Sequence, residues 1–103
     1  MAGSIEKIVI HADPEIANLI PGYLENRKKN IASMLEALGK GDYETINFIG
    51  HSMRGSGQGY GFSAISEIGT ALEQAAKHNN TDEIKRRIDE LAVYIGRVEV
   101  VYE

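Results

Sequence analysis

His51, Arg54 and Gly55 stand three and four residues apart, a spacing that brings their side chains to neighbouring positions on a helix. An exposed imidazole is largely neutral near pH 7 and is a competent nucleophile. A guanidinium one turn later can neutralise the oxygens of an arriving phosphoryl group. A glycine beside the imidazole removes bulk, so that a second protein could approach closely enough for in-line transfer. A lone His-x-x-Arg is a weak signal, and taken singly it describes an incidental surface histidine on a solvated face. Two glycines inside a helix are costly, however, and Gly50 and Gly55 flanking His51 point to a purpose beyond helix stability.

The helix that carries these residues sets their direction. At about 100° per residue, Ile46, Ile49, Met53 and Gly57 fall within roughly 80° of arc and define its core side. His51 lies roughly 150° from the centre of that arc and is expected to face solvent. Glu44, Asn47, Phe48, Arg54, Gly55 and Gln58 share the outer face with it. An exposed Phe48 is an anchor for a partner. Asn47 belongs to the same contact surface, and Gln58 is placed to hydrogen-bond near a transferred phosphate.

The rest of the chain supplies helices to hold this one. Residues 5–10 alternate weakly and read as a short extended arm. Asp13-Pro14-Glu15 is a helix start, with an N-cap acid, proline at the first helical position and a second acid. Ile16, Leu19 and Ile20 give these turns an apolar face, and Pro21-Gly22 should kink or break the helix. Leu24, Ile31, Leu35 and Leu38 then recur on one face, and Gly39 and Gly41 end the helix. Asp42 caps the second helix, which should fray within the glycine-rich stretch 55–61. That stretch superficially resembles a nucleotide-binding glycine loop, but it lacks the preceding strand and the Gly-Lys-Ser/Thr ending, so it reads as an interhelix connection. A third helix runs from about Phe62 to Lys77, with Ile65, Ile68, Leu72 and Ala75 or Ala76 inward. Asn79-Asn80 breaks it, and Thr81 caps a fourth helix whose stripe is Ile84, Ile88, Leu91, Ile95 and Val98. Val101 and Tyr102 extend that helix. The expectation is an all-α domain over residues 1–103, with an arm over 1–13, strand content near nil, and an antiparallel four-helix bundle with a short N-terminal helical extension over 14–103.

Bulk properties exclude several functions. The 103 residues suffice for one modest core. No cysteine is present, which rules out a disulfide framework and a thiolate metal site. A net charge of −4 argues against nucleic acid as the main partner. No apolar run is long enough to span a membrane. The N-terminus lacks the apolar core and cleavage site of a secretory signal, so the expected compartment is the cytoplasm. His11 and His78 read as incidental or structural, with His78 favourably near the negative end of its helix. Three dispersed histidines make no metal site.

Together, His51-Ser52-Met53-Arg54-Gly55, the later Gly61-Phe62 and the segment Leu72-Glu73-Gln74-Ala75-Ala76 resemble the histidine-containing phosphotransfer family. That family's pattern is a histidine, any residue, an apolar residue, lysine or arginine, then glycine, with a leucine–glutamate–x–alanine–alanine segment in the next helix. The resemblance extends over roughly residues 14–100. It implies a phosphorelay carrier, not an enzyme, that accepts a phosphoryl group on Nε2 of His51 and passes it to or from a receiver-domain aspartate. It also implies the basic role for Arg54, the close-approach role for Gly55, and a hydrogen bond from Glu73 that would hold the histidine tautomer. No cofactor is expected in this chain, because the receiver supplies Mg²⁺. The expected partners are a receiver domain and/or a sensor histidine kinase, with no nucleic acid and no membrane, and the chain is expected to be a monomer. A start at Met1 favours a free-standing carrier over a segment of a larger sensor. Two features depart from the pattern: Arg54 stands where lysine is commoner, and residues 55–61 hold an unusual number of glycines. The surplus glycines either loosen the helix end or let a partner approach.

The same residues leave other readings open. A bundle could dock receivers without passing phosphate, or serve only as a structural or dimerisation unit. A carboxylate-bridged metal protein fits less well, because its Glu-x-x-His pairs are absent.

Overall fold

The three connections between helices are built the same way. Each preceding helix ends with a residue in the left-handed region, Gly41 (φ 70°), Gly61 (φ 87°) or Asn79 (φ 51°). The next residue's N–H returns to a carbonyl five positions back: Asp42 to Ala37 at 2.8 Å, Phe62 to Gly57 at 2.8 Å, Asn80 to Ala75 at 2.9 Å. These bonds satisfy carbonyls that the helix end would otherwise leave open. That same residue is the N-cap of the following helix. Asp42 caps as expected, its carboxylate accepting the Thr45 N–H at 3.1 Å. At the last connection the cap is Asn80 and not Thr81, because Asn80 Oδ1 accepts the Glu83 N–H at 3.2 Å. Thr81 instead shares a 2.7 Å hydrogen bond with the Tyr43 hydroxyl.

A computed structural model describes residues 6–102, so the first five residues of the expected N-terminal arm lie outside the described residues. The chain runs as strand β1 (Ile8–Ala12), a 3₁₀ segment (Pro14–Leu19), helices α1 (Ile20–Gly39), α2 (Tyr43–Gly59), α3 (Ser63–Lys77) and α4 (Thr81–Arg97), and strand β2 (Val98–Tyr102). The fold is therefore mostly helical, with four α-helices among the described residues. Helix α1 packs on α2 and α4, and α3 packs on α2 and α4, with α2 and α3 in the closest association.

Four sequence expectations need correction. Asp13 does cap the first turns, through the Glu15 N–H at 2.9 Å, but Pro14–Leu19 is 3₁₀ and not α-helical. Pro21 lies in the first turn of α1, where its missing N–H breaks no bond, so it starts a helix and does not kink one. Along α1 the buried line is Ile20, Tyr23, Met34 and Ala37, with Leu24, Ile31 and Leu38 at its flank and Leu35 exposed. Helix α2 does not fray at the glycines but continues to Gly59, because its last turns are held against α3.

The domain is also not all-α. Strands β1 and β2 form a two-stranded parallel sheet, with Ile8 opposite Val98 and Ala12 opposite Tyr102. Val98, Val101 and Tyr102 thus belong to a strand and not to α4. The cause is local composition: β-branched residues dominate both segments and restrict χ1 in a helix. Ile8, Ile10, Val98 and Val100 turn one face of this ribbon onto the core. Among the described residues, the largest fully buried side chains are Phe62, Ile20, Met34, Ile46, Met53, Ile65, Leu72, Ile84, Ile88 and Leu91. Burial of each contributes about 1.5–3 kcal/mol to holding the helices together.

Candidate functional site

The core side of α2 is Ile46, Ile49, Met53 and Gly57, as the helical spacing requires. Burying that stripe turns His51 outward, and its side chain is 60 % exposed.

Glycine sets the separation of α2 and α3. A Cβ on Gly50 would lie 2.8 Å from the Gly69 carbonyl oxygen and 2.9 Å from the Glu73 nitrogen. One on Gly57 would lie 2.5 Å from the Ser66 nitrogen, and one on Gly69 would lie 2.7 Å from the Arg54 nitrogen. The two backbones therefore touch at a ladder of three glycines. Ser66 locks the contact by donating its hydroxyl to the Arg54 carbonyl at 2.7 Å. The surplus glycines are thereby explained in part. Gly50 and Gly57 serve packing, and Gly61 serves the turn. Gly55 is different: a Cβ there would meet nothing within 4 Å, which leaves open space beside His51. Ser66 and Gly69 were not anticipated from the sequence. A serine and a glycine on a helix face carry no signal of a partner until the neighbouring helix is placed.

This close approach brings the Glu73 carboxylate beneath the imidazole. Glu73 is only 6 % exposed, and its Oε2 lies 3.0 Å from Nδ1 of His51. Arg54 completes the group. Its Nε stands 3.6 Å from Glu73 Oε1, an oxygen with no hydrogen-bond partner, and its Nη2 lies 3.0 Å from the same Nδ1. Nδ1 cannot both donate to Glu73 and accept from Arg54. The buried carboxylate decides the matter, since it needs a donor and has little water to supply one. Nδ1–H therefore donates to Glu73, and the guanidinium sits alongside as a countercharge. In this tautomer Nε2 keeps its lone pair and is the nucleophilic atom of an exposed ring.

Phe48, three residues before His51, is 71 % exposed, and Asn47 beside it is half-buried. Gln58 is exposed two turns beyond His51, about 10 Å along the helix axis. It lines a cleft of about 320 Å³ with His11, Ala12, Asp13 and Tyr60. The structure thus gathers His51, Arg54 and Glu73 into one contact group, with Gly55 and Phe48 on the adjoining surface. It sets Gln58 at the far end of that surface.

His78 donates Nδ1–H to the Gln74 carbonyl at 2.8 Å, a helix-end role as expected. His11 lies in β1 opposite Val101. Among the described residues, no group of three or more His, Cys, Asp or Glu could hold a metal ion. No helix among them is long and apolar enough to cross a membrane. No protein-family model matches this chain, and neither curated proteins nor solved structures contain a match to it.

Proposed function

We propose that this chain is a histidine phosphotransfer protein, its helices arranged as an antiparallel four-helix bundle, that carries a phosphoryl group on Nε2 of His51. The observation that carries the reading is the buried Glu73 carboxylate 3.0 Å from Nδ1. A carboxylate there has no use in a merely solvated histidine. It fixes the tautomer and stabilises the positive charge that the ring gains on attack.

In the transfer step, the Nε2 lone pair forms a bond to phosphorus as the P–O bond of a receiver's acyl phosphate breaks. The receiver aspartate leaves as a carboxylate. The phosphorylated ring is left positively charged, with its proton still on Nδ1 and donated in a hydrogen bond to the Glu73 carboxylate, and Arg54 turns its guanidinium to the phosphoryl oxygens. The reverse step returns the group. The receiver brings the Mg²⁺ and the acceptor aspartate, so the chain works as a carrier and not as an enzyme. Phe48 and Asn47 form the docking contact, and Gly55 leaves room for the incoming active site. The reading places the protein in the cytoplasm, with a receiver domain and/or a sensor kinase as partner.

Incubation with a small-molecule phosphodonor or a phosphorylated receiver tests this. The expected product is an acid-labile, alkali-stable phosphate that is absent from His51→Gln. An unlabelled wild-type protein would overturn the carrier role, and label persisting in His51→Gln would overturn the site.

A further inference from the structure

Arg27 is held in place without an acid. Its guanidinium lies over the Tyr23 ring at 4.4 Å, Nε donates to Asn30 Oδ1 at 2.8 Å, and Nη1 donates to Ser56 Oγ at 3.4 Å. The ring beneath is itself fixed. It stacks on Tyr60 at 4.2 Å and on Phe62 at 5.8 Å, and its hydroxyl shares a 3.0 Å hydrogen bond with Ser56. Neutral groups from α1 and α2 thus set the guanidinium plane before any anion arrives. Arg54, Arg86 and Arg87 each meet a glutamate. Among the described residues no carboxylate stands within ion-pair distance of Arg27, although the chain has 15 acidic residues to 11 basic ones. Arg97 also lacks an acid there, but no hydrogen bond or ring orders it. Arg27 is half-buried, yet its Nη2 donates to no protein atom among the described residues and is not sealed from solvent. A preset cation with an open donor is a site for an anion that comes from elsewhere.

The site adjoins the His51 face. At about 100° and 1.5 Å per residue, Gly55 lies about 40° around α2 from His51, and Ser56 lies about 140° in the same sense and about 7.5 Å along the axis. Gly50 and Gly57, which touch α3, lie about 100–120° in the other sense. His51 therefore stands between two arginines. Arg54, on the α3 side, is committed to Glu73, and Arg27, on the α1 side, is uncommitted. A partner that enters over the open space at Gly55 brings its rim to Ser56 and Arg27. A domain that brings Mg²⁺ holds it with carboxylates, so the rim of its active site is acidic.

We infer that Arg27 is a specificity contact that takes an acidic side chain on the rim of the receiver's active site as that site closes over His51. The inference rests on the carrier reading and names what the partner must present. A charge at the rim of a docking face governs the rate of encounter and its salt dependence more than the chemical step.

The probe is a panel of receiver domains loaded with acetyl phosphate, and the receiver that labels His51 fastest is carried forward. Arg27→Gln keeps length over the Tyr23 ring and removes the charge. It should lower kcat/KM for transfer from that receiver about fivefold, leave the rate at saturating receiver unchanged and flatten the salt dependence. Labelling by phosphoramidate, a donor too small to reach both His51 and Arg27, should be unchanged. Arg27→Glu should be slower with the receiver, and one receiver variant with a rim acid replaced by lysine should restore it. Circular dichroism and a thermal midpoint report separately on folding. Equal transfer from the receiver by wild type and Arg27→Gln, with phosphoramidate labelling intact, overturns the inference and leaves the carrier reading standing. An equal loss with both donors overturns it too, because the residue then serves the fold or the chemistry. An Arg27 Nε resonance shifted by millimolar inorganic phosphate but not by the receiver would make the occupant a free anion and overturn the receiver contact. Wild type that phosphoramidate leaves unlabelled overturns the carrier reading itself.

Discussion

Glu73 Oε2 lies 3.0 Å from Nδ1 of His51, across the interface between α2 and α3. One partner is almost fully buried and the other is exposed, so the pair spans the boundary between core and solvent. The buried member orients the exposed one. This depends on three glycines that let the two backbones meet, since any thicker contact would lift the ring away from the carboxylate.

Glu73→Gln keeps the shape and removes the charge. Phosphotransfer to His51 should slow by about tenfold, the lower end of what losing an orienting partner costs. Nitrogen chemical shifts of the ring give a second readout. Wild type should show the Nδ1–H tautomer, and the variant a mixture. An unchanged rate with an unchanged tautomer would remove the orienting role.

Gly55 and Gly57 are two residues apart and should respond in opposite directions. Gly55→Ala adds a methyl group to open space, so it should stabilise the protein by about 0.5–1 kcal/mol through helix propensity. Gly57→Ala presses on the α3 backbone and should destabilise by about 1–3 kcal/mol. Urea unfolding measures both. A bulky residue at Gly55 should leave the fold intact yet slow transfer, and unchanged transfer would refute the close-approach role.

Asn79 is the one non-glycine residue at positive φ among the described residues. Asn79→Gly should raise stability by about 0.5–1 kcal/mol by relieving the left-handed conformation, whereas Gly41→Ala and Gly61→Ala should each cost about 1–2 kcal/mol. The shift in urea midpoint at constant slope reports this directly.

Stability should fall on both sides of neutrality, for different reasons. The Thr45 hydroxyl, then the Thr45 backbone N–H, hold Asp42 below its ordinary range. Hydrogen bonds from Arg86 and then Arg87 do the same for Glu83. Both groups release protons more readily when folded. Their contribution is complete above the unfolded carboxylate range, near pH 4, and is lost as pH falls through the lower folded values. Burial raises the Tyr94 phenol, whose hydroxyl has no partner, so its contribution holds below about pH 10 and is lost as pH rises beyond. Unfolding free energies measured from about pH 3 to pH 11 should show both losses. Thr45→Val should flatten the acid limb and Tyr94→Phe the alkaline one.

The sequence by itself determined the helices and the direction of His51. Apolar spacing in α2 and α4 is a local property, and Gly41, Gly61 and Asn79-Asn80 announce their turns without reference to the rest of the chain. The outward position of His51 follows from the inward stripe on its own helix. What tertiary structure decided is everything that needs two segments at once. Gly50 and Gly55 look alike in the sequence, yet one touches α3 and the other touches nothing. Glu73 reads as an ordinary surface glutamate until α3 is laid against α2, and only the family resemblance singled it out. The ribbon was illegible because pairing Ile8–Ala12 with Val98–Tyr102 joins the two ends of the chain. Periodicity reports which face of a segment is buried, but not which distant segment buries it.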